Sequence, residues 1–423
     1  MWFNYLKMVL AGMGRNKFFT ALSLFGISST VMIVMTVVLI FENSTAARKP
    51  ESRLSEMLFI KRVKVVVKDE SVSIGNVGRR LAIEYIAKLK TPALVSVSSM
   101  DRFEIFFQGK LISQQVLSTD PNYWRIYDFD FVTGRPFSLA EFNAKAQVIV
   151  ISRSLAEYFF GSTQVVGKMI KLRSQEFRVL GVVENPPYTS PNCFAQAWVP
   201  SSLIDVPSET AGSGNWSGEC YVTLLPNTQA DKQKVIEDVN DLMRKLNIRL
   251  ASKKTTVTLA GPDDALTLYV RGYQDEEQFK GITQFYLKWT AFILLFLLLP
   301  SVNLMSLNIT RIRERSTEIA VRKAFGASRG ALIKQLLIEN IILTMMGGIV
   351  GLSMAYGVLK IFSYQLFNVS PDMGDVDIAV SVNFSAFILT LMVCFVFGIF
   401  SGILPALKMS KLNPAEVLKG GSK

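Results

Sequence analysis

Several groups of residues in this chain are of types that could do chemistry. DPNYWRIYDFDF (120–131) places Asp120, Asp128 and Asp130 among aromatic side chains, where carboxylates could serve as general acid and base. GSTQVVGKM (161–169) resembles a phosphate cradle. A true one needs four residues between its glycines and a hydroxyl after the lysine to hold magnesium. Here five residues separate Gly161 from Gly167, and Met169 follows Lys168. Cys193, Cys220 and Cys394 show no metal-ligand spacing, and the absence of histidine removes the commonest metal ligand and general base. No GxSxG, HExxH or CxxC is present. These absences argue against an enzyme, with no catalytic residue and no metal site, and the three aspartates read as turn acids beside packed rings.

RIRERSTEIAVRKAFGAS (311–328) offers something else, a stiff charged helix that could lie on anionic lipid headgroups or dock a cytoplasmic partner. Arg313, Glu314, Arg315, Glu318, Arg322 and Lys323 are interleaved so that Glu318 reaches Arg322 at i+4 and Arg315 at i−3 on a helix. Gly326 is a helix stop and Ser328 a cap for the helix that follows. Arginine forks suit bidentate contact with a partner's carboxylates.

The elements that hold this segment are apolar. Half of the 423 residues are hydrophobic, and the mean hydropathy is +0.31, which suits a membrane protein with a soluble part. A span needs about 20 apolar residues. Four runs qualify: 18–41, 289–310, the part of 335–362 that follows 341, and 384–407. The first is too long for the core of a cleaved signal. Pro300 should kink the second span. Gly347 with Gly351, and Gly398 with Gly402, have the spacing that lets helix backbones approach. Glu339 lies near one end of its span, within reach of Lys334 or Lys408, and reads as a helix-orienting acid. Residues 1–17 place Phe3, Leu6, Leu10 and Met13 on one face, as a short interfacial helix on membrane lipid would. Lysine and arginine crowd 1–17, 311–334 and 408–423, whereas 363–383 carries Asp372, Asp375 and Asp377 and no basic residue. The positive-inside rule then puts both termini and 311–334 in the cytoplasm, with 42–283 and 363–383 outside. Most of the net charge of +12 is thereby topology signal, which speaks against a nucleic-acid partner.

The expected fold class is an α-helical membrane protein with four transmembrane helices and a large α+β extracytoplasmic domain. Strand patterns at 61–67 and 94–100 flank a helical pattern at 76–90, and strands at 221–226 and 255–261 flank a helix at 230–247. They make two β-α-β units. Between them, 101–220 reads as an inserted, mostly β subdomain. It has a buried strand at 148–152 and a helix at 154–161 capped by Ser154 and stopped by Gly161. A hairpin with a strand follows at 169–183, then a proline-rich turn at 184–192. Residues 207–219 read as a surface loop. Cys193 and Cys220 both face the oxidising side, where a disulfide is permitted, and sequence does not decide whether they pair.

RIRERSTEIAVRKAFGAS resembles the coupling segment of the FtsX/MacB-type ABC transporter permeases. RNKFFTALSLFGIS (15–28), IENIILTMMGGIVGLSMAYG (338–357) and LPALKMSKLNPAEVLKG (404–420) are similar to other parts of that family, and 148–187 looks like its extracytoplasmic core domain. The resemblance implies a permease subunit of a bacterial inner membrane, multi-pass, with no cofactor of its own. ATP and Mg would be bound by a cytoplasmic ABC ATPase gripping Arg313, Glu314, Arg315, Glu318, Arg322, Lys323 and Gly326. MacB itself carries an ATPase ahead of its first span, and none is present here, so the likeness is to permeases served by a separate subunit. It further implies a homodimer or a heterodimer with a paralogous permease, a periplasmic adaptor or cargo, and mechanotransmission. In that mechanism ATP-driven motion changes the posture of the outer domain for export or lipoprotein and peptide handling. The alternative is an FtsX-like signalling permease regulating a cell-envelope hydrolase; the size of the outer domain favours the MacB kind. Peptide-sensing permeases have more spans and are disfavoured.

Overall fold

The computed structural model describes residues 17–107, 110–172, 175–203, 216–272, 274, 279–295, 298, 321, 325–326, 328–366, 385, 387–389, 392–393, 395–396, 398–399 and 403. Two compact units emerge. One comprises 1–43, 286–366 and 380–423; the other comprises 44–285 with 367–379.

The first unit is helical. Helix α1 runs Lys17–Thr45. Its hydroxyls are turned back onto the helix: Thr30 donates to Gly26 O at 2.9 Å and Thr36 to Met32 O at 2.7 Å, which satisfies them without water. Among the described residues two stretches are long and apolar enough to cross a membrane, Thr20–Thr45 and Ile333–Leu366, and a shorter apolar helix, α7, covers Ile282–Leu295.

The second unit is built on a β-α-β-β-α-β order. Its first strand is broken at Lys61 into β1 (Leu58–Ile60) and β2 (Arg62–Val67). β3 (Ser71–Val77) folds back on β2, with Val66 opposite Val72. A π-helical turn at Leu81–Tyr85 and a 3-10 turn at Ile86–Lys88 lead to β4 (Leu94–Phe107). After the insertion come β12 (Cys220–Leu225), helix α5 (Lys232–Leu250) and β13 (Thr255–Ala260). β13 lies antiparallel to β2, β1 to β12, and β12 to β4. The two β-α-β units thus interleave in one sheet rather than packing as separate layers. Val235, Val239, Met243, Leu246 and Leu250 of α5 bury their stripe against Val63, Val65, Val257 and Leu259.

The sequence pattern at 76–90 overstates its helix. Residues 76 and 77 belong to β3, and helical turns occupy only 79–88. The hairpin turn between β2 and β3 is made by Asp69 at φ +66°, a left-handed position that aspartate tolerates.

The insertion adds β5 (Lys110–Thr119), helix α2 (Tyr123–Ile126), β6 (Phe131–Gly134) and helix α3 (Leu139–Asn143). It continues with β7 (Val148–Ser152), helix α4 (Arg153–Phe160), β8 (Met169–Leu172) and β9 (Gln175–Val183). β10 (Ala197–Pro200) and β11 (Ser217–Gly218) complete it. The cap of α4 is Ser152 rather than Ser154: Ser152 Oγ accepts Leu155 N–H at 3.3 Å. Gly161 ends α4 at φ +65°. Cys193 and Cys220 are both buried free thiols, each in a different core.

Candidate functional site

Most of the charged segment lies outside the described residues: Arg313, Glu314, Arg315, Glu318, Arg322 and Lys323 among them. Its end is described. Phe325 N–H donates to Val321 O at 3.0 Å, and Gly326 follows at φ +93°, open to solvent, with nothing within 4 Å of an added Cβ. Ser328 Oγ accepts Ala331 N–H at 3.3 Å as helix α8 (Arg329–Leu366) begins. Phe325 is 89% exposed. Its ring stands exposed next to a sequence run of bases and acids. Sequence reading passed over it because one aromatic among charges has no periodic signal.

About twenty residues beyond this turn, α8 comes into close contact with α1. A Cβ on Gly347 would lie 2.5 Å from Ile27 Cγ2, and one on Gly351 would lie 2.7 Å from both Ser28 O and Val31 Cβ. At Gly398 the close neighbour is again α8, with Thr344 Oγ1 at 2.5 Å from an added Cβ. Asn340, 7% exposed, donates to Gly398 O at 3.3 Å. Ser385 Oγ donates to Glu42 at 2.7 Å. Gly402 and Pro300 lie outside the described residues.

Within the second unit, the segments that lead to the apolar helices are fastened to one aromatic core. In residues 44–57, Leu54 and Met57 enter that core beside Tyr123, Tyr127 and Trp198. Lys49 pairs with Asp130 at 2.6 Å, Pro50 O accepts Asp128 N–H at 2.8 Å, and Arg53 donates to Ile126 O at 2.7 Å and to Arg125 O. On the return side, Phe59 and Asp263 exchange backbone hydrogen bonds at 2.8 and 2.9 Å. Helix α6 (Ala265–Arg271) packs Ala265 and Leu268 on the same core. Asp263 holds Arg271 in two hydrogen bonds, of 2.5 and 2.8 Å, with both residues 5% exposed.

The acids singled out between 120 and 131 are structural ones. Asp120 is partly exposed, yet its carboxylate turns onto Val97 N–H at 2.5 Å, Asn122 N–H at 2.9 Å and Tyr123 N–H at 3.2 Å. Burial of that carboxyl outweighs these donors and pushes it up to about 6. Asp128 and Asp130 face Lys49 at the surface. Among the described residues no group of acids, cysteines or histidines is placed to hold a metal ion.

Comparison with known proteins gives two family matches along the chain. Residues 20–242 match the MacB-like periplasmic core domain, and 290–414 match the FtsX-like permease C-terminal region. The macrolide export ATP-binding/permease protein MacB of Bdellovibrio bacteriovorus is 27% identical over 426 residues, covering 98% of this chain and 61% of that protein. The uncharacterized ABC transporter permease YknZ of Bacillus subtilis is 22% identical, covering 77% of this chain and 75% of its own. The periplasmic region of MacB from Actinobacillus actinomycetemcomitans aligns with 54% of this chain and 95% of its own at 17% identity and a TM-score of 0.37. The extracellular domain of YknZ aligns with 47% of this chain and 99% of its own at 16% identity and a TM-score of 0.35.

Proposed function

The chain belongs to the FtsX/MacB-type ABC transporter permeases, and from that premise we propose that it is the membrane subunit of a mechanotransmission machine. A cytoplasmic ABC ATPase, the partner that binds ATP and Mg, drives it, and the extracytoplasmic domain does the work. The reading rests on the order of the two matched regions: a MacB-like core domain comes first, and an FtsX-like part that contains the charged segment follows. Four spans, both termini inside a bacterial inner membrane, and a pair of permease chains, identical or paralogous, complete the reading.

Arg313, Glu314, Arg315, Glu318, Arg322 and Lys323 form the ionic grip for the ATPase, Phe325 is its apolar anchor, and Gly326 makes the corner that turns the chain into α8. Acids and bases paired along one helix keep it stiff, so that a push is transmitted rather than absorbed. Export, or handling of a lipoprotein or peptide by the outer domain, fits the uncharged spans better than a polar path through them. A MacB-like core domain over 20–242 favours this over hydrolase signalling.

The test is recovery of the ATPase with a tagged permease from membranes. Glu318→Lys combined with Arg322→Glu should leave the permease in the membrane. It should lower ATPase recovery roughly tenfold or more, the loss that follows from upsetting an interfacial charge pair. Phe325→Ala should lower it further. Undiminished recovery in the charge-reversed variant would remove the segment from the ATPase interface.

A further inference from the structure

The segment that leaves α1 carries one side chain its surface ties do not explain. Glu51 is 2% exposed, although a glutamate is almost never buried without a partner. It sits on the aromatic core. Asn192 N–H reaches its carboxylate at 3.2 Å. From the same loop the Cys193 thiol approaches it, and from the break between β1 and β2 comes the charge of Lys61. The Lys61 ammonium lies 5.3 Å from the centre of the Tyr221 ring. α2 contributes Tyr123, which donates to Asn192 O at 3.4 Å, and Tyr127 beyond it bonds Thr223 Oγ1 at 2.9 Å. Asn192 Oδ1 and Tyr221 Oη are buried without a hydrogen-bond partner. The ionised carboxylate thus accepts from Asn192, backbone and side chain, and from the Cys193 thiol, yet its burial outweighs them, and Asn192 Oδ1 is a buried acceptor for which a protonated carboxyl would supply the missing donor.

We propose that Glu51 is a proton-operated latch: protonated, it holds residues 44–57 against the aromatic core; ionised, it releases them. The other groups facing it are fixed over the useful range. Burial holds the Tyr123, Tyr127 and Tyr221 phenols well above their usual values. Burial, followed by the Glu51 charge, does the same for the Cys193 thiol, which stays an S–H donor. That leaves Glu51 and Lys61 to change charge. Burial raises Glu51, against the pull of Asn192 and Lys61. A carboxyl raised in the docked state strengthens docking below its ordinary value, and that strength drains away as pH climbs through the raised value. Burial lowers Lys61, against the pull of Glu51, so its contribution has the opposite sign, with docking favoured as pH rises toward its ordinary value. The extracytoplasmic side is the one exposed to external pH, and the latched segment is continuous in sequence with α1.

The latch does not depend on the transport reading, because its test needs neither ATPase nor cargo. Hydrogen exchange would be followed in the full chain in lipid nanodiscs from pH 5 to pH 9. Protection of peptide 44–57 would be taken relative to β7, which cancels the intrinsic pH dependence of exchange. One unit of pKa difference between docked and released states is tenfold in the docking equilibrium, so protection of 44–57 should fall roughly tenfold or more as pH rises. Glu51→Gln should hold it near its acid value throughout. Lys61→Met, which removes the opposing titration and leaves the ionised carboxylate without a cation, should deepen the fall. A flat profile in the parent protein, or an undiminished fall in Glu51→Gln, would overturn the latch. If Glu51→Gln fails to fold, Lys61→Met decides, and a fall no deeper than the parent's refutes the role of Glu51.

Discussion

Asp263 and Arg271 carry opposite charges into a site where each is 5% exposed. Stripping water from two ions is costly, and their attraction repays it only when the geometry is good and the remaining donors are satisfied. Here the fork is bidentate and the guanidinium also lies 4.2 Å from the centre of the Phe279 ring, an arrangement that lysine could not copy. Asp263→Ala should therefore lower the stability of the extracytoplasmic domain by about 3–5 kcal/mol, because it strands a buried cation. Asp263→Leu with Arg271→Met should recover most of that loss, since apolar groups of similar volume replace a buried pair at little net cost. Thermal unfolding of the purified chain, monitored on the domain's tryptophans, would check both. Equal losses in the single and double variants would mean that the pair does more than neutralise itself. Neither residue was legible as a partner in the sequence. Asp263 sits in a Gly-Pro-Asp-Asp turn and Arg271 at the end of a seven-residue helix, and only the fold brings them together.

At the scale of elements, what sequence makes visible is periodicity and punctuation. The strand at 148–152 shows as a short unbroken apolar run, and the α5 stripe as apolar residues recurring at helical spacing. β3 is not: Val72 and Ile74 point outward, 60% and 43% exposed, so the strand has no buried face to announce it, and Asn76 and Val77 were absorbed into the neighbouring helical pattern. Glycine spacing is similarly mute about partners. Gly347, Gly351 and Gly357 look alike in the sequence, but only the first two are crowded by α1; Gly357 has nothing within 4 Å of an added Cβ. Gly351→Ala should thus cost about 1–3 kcal/mol by overpacking Ser28 O and Val31. Gly357→Ala should be neutral or slightly favourable, because alanine is the better helix former. Resistance of the purified chain to denaturation in detergent would rank the two. A Gly351→Ala variant as stable as Gly357→Ala would show that α1 and α8 do not hold that close approach.

At the scale of the molecule, the composition and the charge asymmetry are enough to separate apolar helices from an outer domain, because they depend on counts rather than contacts. The interleaved order of the sheet is invisible to them: pairing β13 with β2 or β12 with β4 joins residues more than a hundred positions apart in sequence, and no local pattern records the choice. Nor does any local pattern show that residues 44–57 and 261–272 are anchored on one core, through Leu54 and Met57 on one side and Ala265 and Leu268 on the other. Phe59 and Asp263 tie the two directly by backbone hydrogen bonds. Segments that share a core and a hydrogen-bonded bridge should open as one cooperative unit. Native-state hydrogen exchange in graded denaturant tests this: amides of 44–57 and of 261–272 should converge on one opening free energy with one denaturant slope. Phe59→Ala, which removes a ring from the shared core, should lower both by a similar amount, about 3–5 kcal/mol. Separate slopes, or a variant that loosens one segment and leaves the other unchanged, would mean that the two routes to the apolar helices move independently.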